Sequence, residues 1–255
     1  MSHRSFVWLC LLPLAVVTAI LSISAGVTVN YFRGIQSGVT LQWVVQVWAL
    51  YAGTILLSFV IAFATLAATL AVGVPAAYAL HVRGGRLSRI VEEIITLPLA
   101  IPGLAIALAL LLTYQGFSGF RRSWLFILTG HVIFTMPFMV RSVMAVFATV
   151  DIKTLDEGAA SLGASPWRRF RDVIVPNAIP GILAGSLMVV TLSLGEFNLT
   201  WMLHTPLTKT LPIGLADSYA SMRLEVASAY TLIFFVMIIP LLVAMQYFAE
   251  KDQKR

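Results

Sequence analysis

The stretch Glu157–Pro176, EGAASLGASPWRRFRDVIVP, decides how this chain is read, because it is a compact polar segment set between long apolar ones. Its spacing predicts two short helices joined by a turn. Thr154 is placed to cap the first, with Glu157 three residues on reaching back to the cap's amide in a capping box. Leu155, Ala159 and Leu162 recur at helical spacing on one face, leaving Asp156, Glu157 and Ser161 to the others. Gly163 ends this helix. Ser165 serves as a second N-cap with Pro166 at the first helical position, where its missing N–H removes no bond. Trp167, Phe170 and Ile174 then form an aromatic and apolar stripe beside Arg168, Arg169 and Arg171. Pro176 is expected to stop the second helix.

The surroundings say where this device sits. Hydrophobic residues make up 59% of the 255 and charged residues 11%, and mean hydropathy is +0.92, far from the balance of a soluble domain. A spanning helix needs about 20 predominantly apolar residues. Six stretches qualify: Phe6–Val29, Leu50–Leu80, Ile94–Tyr114, Trp124–Ala148, Ala178–Phe197 and Ala229–Phe248. Barrel strands would alternate over about 10 residues, and no such alternation runs here. The expectation is an all-α membrane protein, one transmembrane domain over 1–255, with a folded loop at 150–177.

Basic residues orient it. Arg33, Arg121, Arg122, Lys209 and Arg223 fall on one side and Arg141 inside the fourth span, while the rest of the 17 Lys and Arg fall on the side of the termini. The positive-inside rule puts both termini and the Glu157–Pro176 segment in the cytoplasm. The first span, preceded by Arg4, is read as a retained helix rather than a signal peptide, being long for an h-region. Cys10 is the only cysteine, and His3, His81, His131 and His204 lack ligand spacing, so no metal site is expected. There is no Walker loop, HExxH or GxSxG, so no catalytic residue is assigned and the chain is read as a non-enzyme. A helix-turn-helix DNA reader would need a supporting third helix, so no nucleic-acid partner is expected.

Within the spans, Gly181 and Gly185 form a GxxxG suited to close helix approach inside the subunit. The long second span should tilt, protrude or bend at Pro75. Pro98 and Pro102 in LPLAIPG have two readings: a late helix start after a short interfacial helix around Leu87–Ile95, or a gating hinge. Pro137 should bend the fourth span, and Arg141 lies within snorkelling reach of the interface. Glu196, the acid within an apolar span, is a candidate for the wall of a translocation path, or else an interfacial acid.

The Glu157–Pro176 loop resembles the EAA signature of permease subunits of ATP-binding-cassette importers: Glu-Ala-Ala, three residues, Gly, nine residues, Ile, one residue, Leu-Pro. Glu157, Ala159, Gly163 and Pro176 match at the right spacing, while Gly158, Val173 and Val175 replace Ala, Ile and Leu. The resemblance implies a type I importer permease fold in the bacterial cytoplasmic (inner) membrane. It implies a second permease subunit, identical or different, two cytoplasmic ATPases that bind the ATP, an external solute-binding protein, and no cofactor on this chain. The loop would be the coupling helix, with Glu157, Ala159, Gly163 and Pro176 shaping it, Trp167 and Phe170 giving apolar contact and Arg168 a polar one. SLGEFNLTWML and TLPIGLADSYASMRLE look most like the polyamine, aminoethylphosphonate and ferric-iron branch. A cationic solute would suit Glu196, Asp217 and Glu225. The alternative is a membrane scaffold or assembly protein without a transport path.

Overall fold

The computed structural model describes residues 26–253. In chain order these form α1 (Gln42–Arg83), α2 (Gly85–Thr96), α3 (Gly103–Thr113), α4 (Ser118–Arg121), α5 (Trp124–Phe147), α6 (Ile152–Ser161), α7 (Pro166–Gly195), α8 (Asn198–Leu203), α9 (Leu211–Ala220) and α10 (Leu224–Gln253). Among the described residues four helices are long and apolar enough to cross a membrane: α1, α5, α7 and the Leu224–Leu241 part of α10. The expected first span, with His3 and Cys10, lies outside the described residues apart from 26–29, where Thr28 pairs with Val39 in an antiparallel bridge.

The expected Ile94–Tyr114 span is not one straight helix. Gly85–Leu99 and Gly103–Thr113 meet at a bend of 106°. Pro102 is the N-cap of α3, so the two prolines sit where a continuous helix would have lost amide bonds. Elsewhere proline does not break the chain. α1 and α5 run through Pro75 and Pro137, and the departure of α1 from helical dihedrals comes at Tyr51 (φ −129°, ψ 15°). The 42 residues of α1 amount to about 63 Å of helical rise, divided by the kink at Tyr51 and well beyond the ~30 Å hydrocarbon core.

Pro176 does not stop its helix either, and α7 continues to Gly195. The reason is local. Arg169–Ile174, just before the proline, is a π-helical turn. That wider turn already interrupts the i→i+4 ladder where a proline ring would clash and an amide would be missed.

The chain divides into two compact units. One joins the described part of Met1–Leu57 to Lys209–Pro240. Here the Trp43 indole donates to the Thr28 carbonyl at 3.0 Å, the Tyr31 amide to Glu225 at 3.0 Å, and buried Tyr230 packs on Tyr51.

The other unit is Ser58–Thr208 with Leu241–Arg255. Its core joins Val74 and Ala77 of α1, Met139, Val140, Val143 and Phe147 of α5, Ile152 of α6, and Ile174, Ala178 and Val189 of α7. Ile152 and Ile174 matter most, because they root the polar loop in the apolar bundle. The GxxxG glycines face α5 within the chain. A Cβ on Gly181 would stand 2.6 Å from the Ser142 carbonyl oxygen and 2.9 Å from Val146 Cγ2, and one on Gly185 2.9 Å from Met139 Sδ. Gly195 has open space around it. Gly181→Ala should therefore destabilise the detergent-solubilised protein by about 1–3 kcal/mol through overpacking, while Gly195→Ala stays within about 0.5 kcal/mol. Denaturant titration of the two variants beside the parent checks this.

Candidate functional site

The polar loop begins with a cap, though not the one expected. Thr154 lies inside the first turn of α6, and Asp151 is the N-cap. Asp151 Oδ1 accepts the Thr154 amide at 3.1 Å and Oδ2 accepts its hydroxyl at 2.6 Å. Starting the helix three residues earlier buries Ile152, which a Thr154 cap would have left in the linker. The Thr154 hydroxyl and then its amide hold the Asp151 carboxyl below its ordinary range. The cap is thus complete at neutral pH and is lost as pH falls through that lowered value. No capping box forms, and Glu157 is exposed.

The helix ends as its glycine demands. Gly163 has φ +79°, its amide donates to the Ala160 carbonyl at 2.9 Å, and the Ala164 amide donates to the Ala159 carbonyl at 3.1 Å. This pair of bonds is a Schellman closure, with Gly163 at the left-handed position. The second start follows the sequence. Ser165 Oγ accepts the Arg168 amide at 3.4 Å, with Pro166 at the first helical position.

Leu155 and Asp156 do lie on different faces of α6, and it is the acid that turns inward: Asp156 is buried at 5% exposure, while Leu155 and Leu162 are 40% and 90% exposed. The cause is a polar clamp. Asp156 Oδ1 accepts the Tyr78 hydroxyl at 2.8 Å, and Oδ2 accepts Arg169 Nη1 at 2.8 Å. A carboxylate so satisfied can be buried, and its burial turns the leucines outward. Trp167 joins them at 67% exposure, its ring 6.0 Å from Phe170, which lies 5.7 Å from Tyr78. Arg168 and Arg171 are exposed beside it. The loop thus exposes the apolar side chains of Leu155, Leu162 and Trp167, the last followed in sequence by cations and tied through aromatic rings to a spanning helix.

A second constellation lies along α7 and α8. Glu196 Oε1 accepts the Leu199 amide at 2.7 Å, so the carboxylate braces the start of α8. A Cβ on Gly103 would be 3.6 Å from that same oxygen, which sets Glu196 beside the first residue of α3, next to Pro102. Pro98 lies in the short turn ahead of the bend. His131, unremarkable in sequence, is buried, with Nδ1 2.8 Å from Ser193 Oγ and Nε2 2.8 Å from Thr200 Oγ1. One imidazole thereby links α5, α7 and α8. Ser193, Glu196 and Thr200 recur at helical intervals, but nothing in sequence pairs them with a residue more than 60 positions away.

Removing the clamp is the sharpest test of this geometry. Asp156→Ala strands a largely buried Arg169 and leaves the Tyr78 hydroxyl unpaired, so it should cost about 1–3 kcal/mol. Limited proteolysis should show faster cleavage between 148 and 165, with membrane insertion unchanged. Asp156→Asn, which keeps two hydrogen-bonding positions, should be cut at an intermediate rate.

Residues 69–251 match the family described as "Binding-protein-dependent transport system inner membrane component". The chain is 27% identical over 250 residues to the putative 2-aminoethylphosphonate transport system permease PhnV of Salmonella typhimurium LT2, covering 96% of this chain and 91% of that one. It is 28% identical over 183 residues to the molybdenum transport system permease ModB of Haemophilus influenzae, covering 65% and 79%. Its fold is similar to a chain of the MetNI methionine ABC transporter in an inward-facing form, with TM-score 0.64, 17% identity and coverage of 81% and 95%. A folded polar loop rooted between apolar helices, in a chain so matched, belongs to a multi-pass membrane protein of the binding-protein-dependent transport systems: it is a member of the permease family of ATP-binding-cassette importers.

Proposed function

We propose that the loop from Asp151 to Pro176 couples ATP hydrolysis on separate cytoplasmic subunits to movement of the spanning helices. The observation that carries this reading is the outward turn of Leu155, Leu162 and Trp167, held by the buried Asp156 clamp. Exposed apolar anchors ringed by charge are where interfaces concentrate their energy. Pressure on Trp167 is passed to Phe170 and Tyr78, and so to α1. Glu157, Arg168 and Arg171 are exposed to supply polar contacts, and Ala159, Gly163 and Pro176 set the shape of the loop. Gly158 has open space around it, so its departure from the family's alanine removes no contact within the chain.

The partners follow from this role: two ATPases on the loop, a second permease subunit, identical or different, and an external solute-binding protein. Both termini are read as cytoplasmic, in the inner membrane of a bacterium. The bend at Pro98 and Pro102 is the proposed gating hinge, and Glu196 lines the proposed path while bracing α8 beside that hinge.

The solute is read as a small oxyanion-bearing molecule. The acids that would have suited a cation are engaged: Glu196 with the Leu199 amide, Asp217 with Lys209, and Glu225 with the Tyr31 amide. The names of the relatives, aminoethylphosphonate and molybdenum systems, point the same way.

Trp167→Glu and Leu162→Glu should insert normally, yet lose co-purification with the ATPase or weaken it at least about tenfold. Gly163→Val, strained by φ +79° with nothing near its Cβ, should cost about 1 kcal/mol or more and blunt solute-stimulated hydrolysis. Full ATPase stoichiometry and full stimulation in all three variants would refute the coupling role. For orientation, a reporter fused after Arg255 should be cytoplasmic and one placed at Thr205–Lys209 external; both on one side would overturn the assignment.

A further inference from the structure

The unit that joins the described part of Met1–Leu57 to Lys209–Pro240 contains a cavity of about 340 Å³, a volume in the range of small-molecule sites. Its lining is unlike the apolar helices that supply it. Tyr51 of α1, Lys209, Asp217 of α9, Arg223 and Tyr230 of α10 all reach it.

Tyr230 is the decisive member. Its side chain is fully buried, and its hydroxyl has no hydrogen-bond partner among the described residues. Folded proteins leave few buried hydroxyls unpaired, because each forfeits its water without replacement. Gly214 permits the arrangement: a Cβ there would stand 3.0 Å from the Tyr230 hydroxyl oxygen. The neighbouring groups are also donors. Arg223 Nη1 donates to the Tyr51 hydroxyl at 3.0 Å, so the Tyr51 proton and the other guanidinium N–H groups are left to point elsewhere. Lys209 is bonded to Asp217, which engages the lining's carboxylate and still leaves ammonium protons. The balance is two cations to one anion, with two phenols added. α1 loses its helical dihedrals at Tyr51, and irregular backbone in a spanning helix is tolerated where it lines a watery cavity.

We propose that this cavity binds a small tetrahedral oxyanion, a phosphonate or phosphate group, through Arg223, Lys209 and the hydroxyls of Tyr51 and Tyr230. A cation would meet two positive side chains and a carboxylate already engaged. A free solute and a phospholipid headgroup share this chemistry. Only the identification of the occupant as the transported solute rests on the function proposed above.

The test uses the full chain purified in a phosphate-free maltoside detergent. It is titrated calorimetrically with inorganic phosphate, 2-aminoethylphosphonate and molybdate, and separately with phosphatidylglycerol. Saturable binding is expected, weakened at least about tenfold by Tyr230→Phe and by Arg223→Gln, since each removes a hydrogen bond to a charged group. Tyr230→Phe should leave thermal stability unchanged or raised, because the lost hydroxyl has no partner among the described residues; a purely structural tyrosine would not give that pairing of results. Binding of the soluble oxyanions identifies a solute site and binding of phosphatidylglycerol alone a lipid site; either result, if lost in both variants, supports the proposal. No binding of any of the four up to about 10 mM, or binding indifferent to both substitutions, overturns it. So does binding lost only in Arg121→Gln, which alters a separate basic cavity lined by Ser118, Arg121 and His204. Trp167→Glu should retain oxyanion binding, so failure of the coupling role and failure of this site are read separately.

Discussion

The buried carboxylate of Asp156 is the constraint on which the loop's architecture depends. An acid placed among apolar side chains must be fully engaged or be expelled. Here it holds a phenol from a spanning helix and a guanidinium from the π turn. Three separate elements are thereby fixed to one side chain: the body of α1, the centre of α6 and the start of α7. Everything notable about the outer surface follows. With Asp156 inward, Leu155 and Leu162 of α6 are exposed, as is Trp167 in the first turn of a helix that continues into the membrane. A salt bridge of this kind is a weak source of net stability, but a strong determinant of which face is presented.

The same economy governs the spans. Lipid offers no hydrogen bonds, so every irregularity of backbone must be absorbed inside the protein. The π turn before Pro176 lets α7 carry a proline without ending. The break at Pro98 and Pro102 is used to turn the chain through a large angle, and Glu196 stands at the far side of that turn, bracing α8. His131 serves where three helices converge, since a buried imbalance of hydroxyls is met by one ring with a nitrogen on each edge. Gly130 lets α8 approach: a Cβ there would be 2.6 Å from Leu199 Cδ2 and 2.8 Å from Leu203 Cδ1.

The ionisable groups are placed differently from what their sequence positions suggest. Three acids that look available in a linear reading are hydrogen-bonded within the chain, Glu196 to the Leu199 amide, Asp217 to Lys209 and Glu225 to the distant Tyr31 amide, whereas the Tyr230 hydroxyl is without a partner among the described residues.

Sequence by itself determined the helical membrane class, the presence of a folded polar loop, the end of its first helix at Gly163 and the Ser165–Pro166 helix start, because these rest on composition and on residues within a few positions of one another; the family came from the likeness of Glu157–Pro176 to the EAA signature. It misplaced the first cap, choosing Thr154 over Asp151, since both are good caps and the choice turns on whether Ile152 can join a distant core. It could not say which face of α6 turns inward, because apolar periodicity cannot register a carboxylate stabilised by Tyr78, 78 positions away. It ended a helix at Pro176 that a π turn allowed to continue. The spatial pairings of His131 with Ser193 and Thr200, of Glu196 with the start of α3, and of Tyr230 with the cavity at Tyr51 and Arg223 were decided only by tertiary structure, because a polar group's role depends on which partners the fold brings within about 3 Å, a distance that residue spacing along the chain does not encode.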